Sequence, residues 1–354
     1  MSKTVLAINP GSTSTKFAIF QGDDLLFSET VRHDDNEMMP FKTVADQLPF
    51  RLETLLMNLE KRKFNLNKLD GIVGRGGLLK PLESGTYLVN EYMIGDALSS
   101  RFGEHASNLG AVIAGELADN LDIPAFIVDP VGVDELIAES RLSGMAEIER
   151  VSQVHALNIK AVSRKIAQQL NTPFEDLNFV VAHIGGGISV VAHRKGRIID
   201  VNNADNEGPF SPERTGTLPA KQLVKLCYSG KYNEQEVLTK ITKVGGVYSY
   251  LGTKSMVEVE QRVLNEDEQA TLVLNSMIHQ LGKEIGAMAT VLEGHIDGII
   301  LTGGLCYSEL IVEKIKKKIS FLADIYVVPG EEELEALAAG AIRVLTNQEQ
   351  AKIY

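Results

Sequence analysis

Three turns rich in glycine carry the densest chemistry in this chain. The first, Asn9-Pro10-Gly11-Ser12-Thr13-Ser14-Thr15-Lys16, follows an apolar run and leads into an alternating one. Glycine lets a ligand approach the backbone closely, hydroxyls and N–H groups can cradle an anion, and Lys16 adds a point charge. Asn9, Gly11, Ser12 and Lys16 are therefore candidate phosphate-binding residues. Walker spacing is absent and a strand pattern follows instead of a helix, so this is not a P-loop. Taken alone, a Ser/Thr-rich β-turn capped by Asn9 explains the segment about as well. The second turn, His183-Ile184-Gly185-Gly186-Gly187-Ile188-Ser189, sets three glycines between two apolar strands. Glycine weakens a strand, and close approach of phosphates at Gly185, Gly186 and Gly187 supplies a reason for it. His183, at the strand end, could then donate to a phosphoryl oxygen. A lone histidine is more often a satisfied core residue, and here the glycines favour function. The third turn, Thr302-Gly303-Gly304-Leu305, could flank an adenine or ribose, although many strand–helix turns look alike.

The elements that position these turns alternate along the chain. Thr4–Ile8, Gly71–Val73, Ala125–Val128, Phe179–Ala182, Gly298–Leu301 and Ile325–Val328 read as buried strands. Leu109 to Leu121, Ile159 to Leu170 and Leu274 to Leu292 carry apolar residues at helical spacing. A last helix starts near Glu331. The class is α/β. Two segments share one layout: Thr4–Phe20 with Gly22–Leu26, and Phe179–His193 with Arg194–Ile199. Each is an apolar strand, a turn of small residues, an alternating strand, a polar turn and a third strand. They sit about half a chain apart, which predicts a duplicated unit opening each of two domains. The expected domains are residues 1–153 and 154–332, divided near Val151–Val154. The helix within 333–354 is expected to pack back on the first.

Composition narrows the function. Of 354 residues 44% are hydrophobic, enough for a sizeable core, and the length suits two domains. A formal net charge of -12 argues against a nucleic-acid surface or a polybasic membrane patch. An acidic protein that binds an anion must do so locally. Two separated cysteines, Cys227 and Cys306, offer neither a disulfide framework nor a zinc site and suit the cytoplasm. No apolar stretch spans a bilayer, and the N-terminus lacks the layout of a signal peptide.

Read together, the three turns resemble the two phosphate loops and the adenosine loop of the superfamily of acetate and sugar kinases, actin and heat-shock chaperones. Gly71-Ile-Val-Gly-Arg-Gly-Gly, Gly103-Glu-His-Ala-Ser-Asn-Leu-Gly, Val128-Asp-Pro-Val, Gln153-Val-His-Ala-Leu-Asn, Ser211-Pro-Glu-Arg-Thr-Gly and Pro329-Gly-Glu-Glu-Glu-Leu are similar to the acetokinase family. The resemblance runs in order over nearly the whole chain. It implies two ribonuclease H-like αβ domains flanking an ATP cleft, the actin-like ATPase fold. It also implies reversible transfer of a phosphoryl group from ATP to a short-chain fatty acid, giving acyl phosphate and ADP with Mg²⁺. Acetate kinases resemble Asn-x-Gly-Ser-Ser-Ser and His-Leu-Gly-Asn-Gly in the two phosphate loops; this chain departs at both, which points to butyrate. Branched-chain acids, propionate and acetate are the alternatives, because one methylene changes discrimination by only about 1–3 kcal/mol. The family also implies a homo-oligomer, a dimer or larger.

The resemblance implies roles for single residues. Arg75 and Arg214 match the arginines that hold the carboxylate and the transferring phosphoryl group. Asp129 matches a carboxylate beside them, where it would orient an arginine or a metal-bound water. His183 matches the histidine on the phosphoryl group, and His105 and His155 match two further active-site histidines, the first at the substrate and the second catalytic. Asn9 belongs to the phosphate and metal loop. The metal-linked glutamate falls in Glu331–Glu333, with Glu332 or Glu333 favoured; Gly303 and Gly304 belong to the adenosine loop. Each has a plainer reading: surface arginines, an N-cap at Asp129 before Pro130, and acids offsetting a helix dipole at Glu331–Glu333. Arg214 has Glu213 beside it as a local partner. A non-catalytic nucleotide switch of actin or chaperone type is the alternative from another class, and it has no use for paired arginines.

Overall fold

The computed structural model describes residues 2–354. They form two compact units. Unit 1 is the chain up to Val133 with Ala156–Asn158 and Glu332–Tyr354; unit 2 is Asp134–His155 with Ile159–Glu331. The first crossing therefore falls at Val133, ahead of the division read near Val151–Val154.

Unit 1 supplies β1 (Thr4–Pro10), β2 (Ser14–Gln21), β3 (Asp24–Arg32), β4 (Gly71–Arg75), β5 (Thr86–Leu88) and β6 (Ala125–Val128). Unit 2 supplies β7 (Asn178–Ile184), β8 (Ile188–Arg194), β9 (Arg197–Val201), β10 (Gly298–Gly303) and β11 (Ile325–Pro329), and β12 (Lys352–Ile353) returns to unit 1. The first sheet runs β12-β5-β6-β4-β1-β2-β3 and the second β11-β10-β7-β8-β9. In both, the first three strands form an antiparallel meander and two later strands add parallel to the first. The duplication extends to detail. A register shift between the second and third strands occurs at Ile19/Phe20 in one unit and at Ala192/His193 in the other. Such irregularities strengthen the local twist.

Strands β1, β7 and β8 bury both faces. In β1, Leu6 and Ile8 face one core with Phe17, Ile19, Leu55 and Ile113. Val5 and Ala7 face another with Ala18, Phe20, Leu337 and Ala338. Alternation of side chains across a strand produces this division. The helices Leu48–Lys61 and Asn108–Asp119 thus cover one side of the sheet, and the helix Glu333–Leu345 covers the other. In unit 2, Val180, Ala182, Val190 and Ala192 pack with Leu274, Met277, Leu281 and Ile285 of the helix Glu268–Val291. Where Asn108–Asp119 crosses β4, Gly74 and Gly110 touch. A Cβ at Gly74 would stand 2.0 Å from the Gly110 carbonyl oxygen. The helix can lie this close to β4, whose last residue is Arg75, only because both positions lack side chains. Among the described residues no helix is long and apolar enough to cross a membrane.

Candidate active site

In unit 1 the site begins at the end of β1. Asn9 is buried, and its amide donates to Glu333 Oε2 at 2.5 Å. The other carboxylate oxygen of Glu333 meets Arg75 Nη1 at 2.6 Å. Glu333 is the first residue of the last helix, so one side chain joins the first turn to the end of β4. Asp129 follows β6. It is buried with φ of 39°, a left-handed conformation that costs a non-glycine residue energy. Its Oδ1 accepts from Gly85 N at 2.7 Å, and no helix starts there, so the N-cap reading is corrected. His105 is exposed, with Nδ1 2.8 Å from Ser107 Oγ in the loop before Asn108–Asp119. Lys16 and Ser12 are exposed and Gly11 is half-buried.

In unit 2, His183 is buried at the end of β7. Its Nε2 lies 3.0 Å from Glu331 Oε1, and its ring stacks on His155 with centroids 4.0 Å apart and planes inclined by 11°. His155 Nδ1 is 2.9 Å from Ser189 Oγ on β8. Arg214 lies in a stretch without regular structure. Its Nη1 meets Asp205 Oδ1 at 2.7 Å and the Ala204 carbonyl at 3.0 Å. Gln153 donates to the other oxygen of Asp205 at 2.6 Å. Glu213, the neighbour read as a local partner, pairs with Lys254 instead. Ser211 donates to the Gly186 carbonyl at 2.5 Å and accepts from Arg214 N at 3.1 Å, tying this loop to the turn.

The three glycines of that turn have distinct surroundings. None has a positive φ. A Cβ at Gly187 would stand 2.5 Å from Arg214 Nη1, so the arginine itself occupies the space a side chain would need. Gly186 lines a cavity of about 510 Å³ with Pro212, Lys254, Met256, Gly304 and Tyr307. A Cβ at Gly304 would meet nothing within 4 Å. Gly303 has φ of 92° and lies against the Ile184 backbone, which holds β10 close to β7.

The glutamate run divides cleanly. Glu331 meets His183, Glu333 meets Asn9 and Arg75, and Glu332 is exposed at the start of the last helix. Asp205 escaped sequence reading, and Gln153, Ser189 and Ser211 stood in the quoted motifs without a role of their own. Their signal was their company, since Asp205 and Ser211 share the Asn202–Thr217 loop with Arg214. Among the described residues no cluster of three or more His, Cys, Asp or Glu is gathered to hold a metal. One atom nevertheless suits a hard cation: Asn9 Oδ1 is buried and has no hydrogen-bond partner among the described residues. Together with the Glu333 carboxylate it offers the oxygen donors that Mg²⁺ takes alongside water and phosphate.

Comparison with known proteins defines the class first. Acetate kinase of Porphyromonas gingivalis shares 19% identity and superposes with a TM-score of 0.80, covering 97% of this chain and 100% of that one. A propionate kinase from Francisella tularensis shares 18% identity with a TM-score of 0.74, covering 95% and 98%. These likenesses establish the expected actin-like ATPase fold. The family follows from sequence. The acetokinase family model matches residues 147–352, and a protein of Listeria welshimeri called "Probable butyrate kinase" is 53% identical over 355 residues, the whole of both chains. The chain belongs to the acetokinase family.

Proposed function

We propose that this protein phosphorylates butyrate to butanoyl phosphate with ATP, reversibly, as a phosphotransferase with a carboxyl group as acceptor. The observation that carries the reading is the Asn9–Glu333–Arg75 group, in which one carboxylate joins an arginine to a residue whose buried amide oxygen has no hydrogen-bond partner among the described residues. The full-length likeness to the Listeria welshimeri protein supports butyrate as the acid.

The chemistry asks for little covalent help. A carboxylate is already ionised at neutral pH, so no general base is needed. The obstacle is repulsion between two anions. Positioning and charge neutralisation overcome it in an in-line transfer. Arg75 and Arg214 are assigned to the carboxylate and the phosphoryl group, which a guanidinium fork grips by two hydrogen bonds. Asp205 would hold Arg214 in place, and Glu333 would hold Arg75. His183, steadied by Glu331 and the His155 ring, would donate to a phosphoryl oxygen. His105 is assigned to the substrate and Asp129 to orientation. Asn9, Gly11, Ser12 and Lys16, with Gly185, Gly186 and Gly187, would bind phosphates. The cavity bordered by Gly304 would take the adenine, beside Gly303. Mg²⁺, held by Asn9 and Glu333, would neutralise the β- and γ-phosphates. The two free cysteines suit the cytoplasm, and the family resemblance supports a homo-oligomer.

The test is acyl phosphate formation, trapped as hydroxamate, across acids from acetate to valerate and their branched isomers. Butyrate should give the highest kcat/KM. ADP released at the same rate without any acid would replace the kinase by a nucleotide switch.

A further inference from the structure

The helix Leu48–Lys61 carries an arginine that none of the roles above uses. Arg51 is fully buried, at 0% exposure, and it is the bulkiest such side chain among the described residues. Its Nη2 donates to the Gly11 carbonyl at 2.9 Å, and to that of Ser12 at 3.5 Å. Its Nη1 donates to the Ser14 carbonyl at 3.1 Å and to Thr15 Oγ1 at 2.9 Å. Nε donates to Gln47 at 3.0 Å. Thr15 Oγ1 thus accepts from Arg51, and it also lies 2.8 Å from His33 Nε2.

Every one of these acceptors is neutral. Among the described residues no carboxylate pairs with Arg51. A buried charge is costly unless it is both hydrogen-bonded and paired, and here only the first condition is met. Burial lowers its pKa to about 10, so the guanidinium is still charged at neutral pH. Its hydrogen bonds satisfy its donors without neutralising that charge. The charge must answer to something else.

The turn's geometry shows what. In a trans peptide the carbonyl and the following N–H point in opposite directions. Arg51 draws the Gly11 and Ser12 carbonyls inward, which turns the N–H groups of Ser12 and Thr13 away from it. We propose that Arg51 is a positioning residue for nucleotide phosphate: it fixes the outward set of the turn's N–H groups, and the phosphate anion bound there completes its unpaired charge. The proposal rests on the reading of Asn9–Lys16 as a phosphate-binding turn. Because the guanidinium is shielded from solvent, salt screens its field poorly.

Calorimetric binding of Mg·ATP and of adenosine to wild type, Arg51→Met and Arg51→Lys tests it. Adenosine lacks phosphate and reports on the base cavity alone. Arg51→Met should weaken ATP at least about tenfold and leave adenosine within about twofold, with Arg51→Lys in between because it keeps the charge without the fork. Folded variants that bind ATP like wild type would reduce Arg51 to a carbonyl cap. Equal weakening of ATP and adenosine would mean general damage and also overturn the proposal. If the Met variant does not fold, the Lys variant decides by the same ATP-to-adenosine comparison. A wild-type protein that binds no ATP would instead sink the nucleotide reading itself.

Discussion

Gly187 lies beneath the guanidinium of Arg214: a Cβ at position 187 would stand 2.5 Å from Nη1 and 3.0 Å from Cζ. The obstacle is the tip of a flexible side chain, so Gly187→Ala should cost little stability and should instead push Arg214 off Asp205. A displacement of about 1 Å at a reacting group can cost on the order of 100-fold in rate. Turnover of butyrate should fall by roughly that much in Gly187→Ala. Gly186→Ala, whose Cβ would meet Glu213 at an ordinary 3.5 Å, should not lose its hold on Arg214. Full activity in a folded Gly187→Ala protein would show that the close approach is incidental.

Arg75 and Arg214 are each held by one carboxylate, Glu333 and Asp205. If their forks grip substrate, lysine cannot replace them, because a point charge lacks two-pronged geometry. Arg75→Lys and Arg214→Lys should each lower kcat/KM for butyrate by on the order of 100-fold, with circular dichroism unchanged. A surface arginine would tolerate the change within about 0.5 kcal/mol of stability. Near-wild-type kinetics in either variant would strip that arginine of its role.

Glu332 and Glu333 make an internal comparison. Glu333 holds both Asn9 and Arg75, whereas Glu332 is exposed. Glu333→Gln should raise the Mg²⁺ concentration needed for half-maximal activity. Glu332→Gln, at an exposed position of the helix start, should leave the metal requirement alone. Superimposable Mg²⁺ titrations for the two variants and wild type would remove Glu333 from the metal.

His193 predicts an acid-labile fold. It is fully buried beside Phe174, and neither ring nitrogen has a hydrogen-bond partner among the described residues. Burial, helped by the charge of Lys160, lowers its pKa from 6.5 to about 3. Between these values the unfolded chain takes up a proton that the folded one refuses. Stability from this group is full above pH 6.5 and is lost as pH falls toward 3, by up to about 1.4 kcal/mol per pH unit. Urea unfolding of wild type should therefore weaken more steeply between pH 7 and pH 4.5 than that of His193→Leu. Parallel pH curves would show that His193 finds a partner on protonation.

What the sequence alone made legible was local. The six buried strands and the four helical stripes are periodic over a few residues, and all appear in the fold. The two glycine turns were readable because a strand, a tight turn and a returning strand are contiguous. Even the duplication could be seen, since it repeats a local pattern. The helix Leu48–Lys61 was not read, and with it Arg51 was missed, although its partners at Gly11–Thr15 lie in the most conspicuous turn of the chain. Contacts across 36 to 40 positions leave no mark in spacing. The glutamate register was likewise undecidable along the chain: three adjacent acids look alike until the last helix brings Glu333 to Asn9, 324 positions away. The glycines at 185–187 were read as room for phosphate, and only packing revealed that Arg214 already lies against one of them. Periodicity records which face of an element is buried. Which particular side chain meets it depends on how distant elements pack, and that is decided only in the folded state.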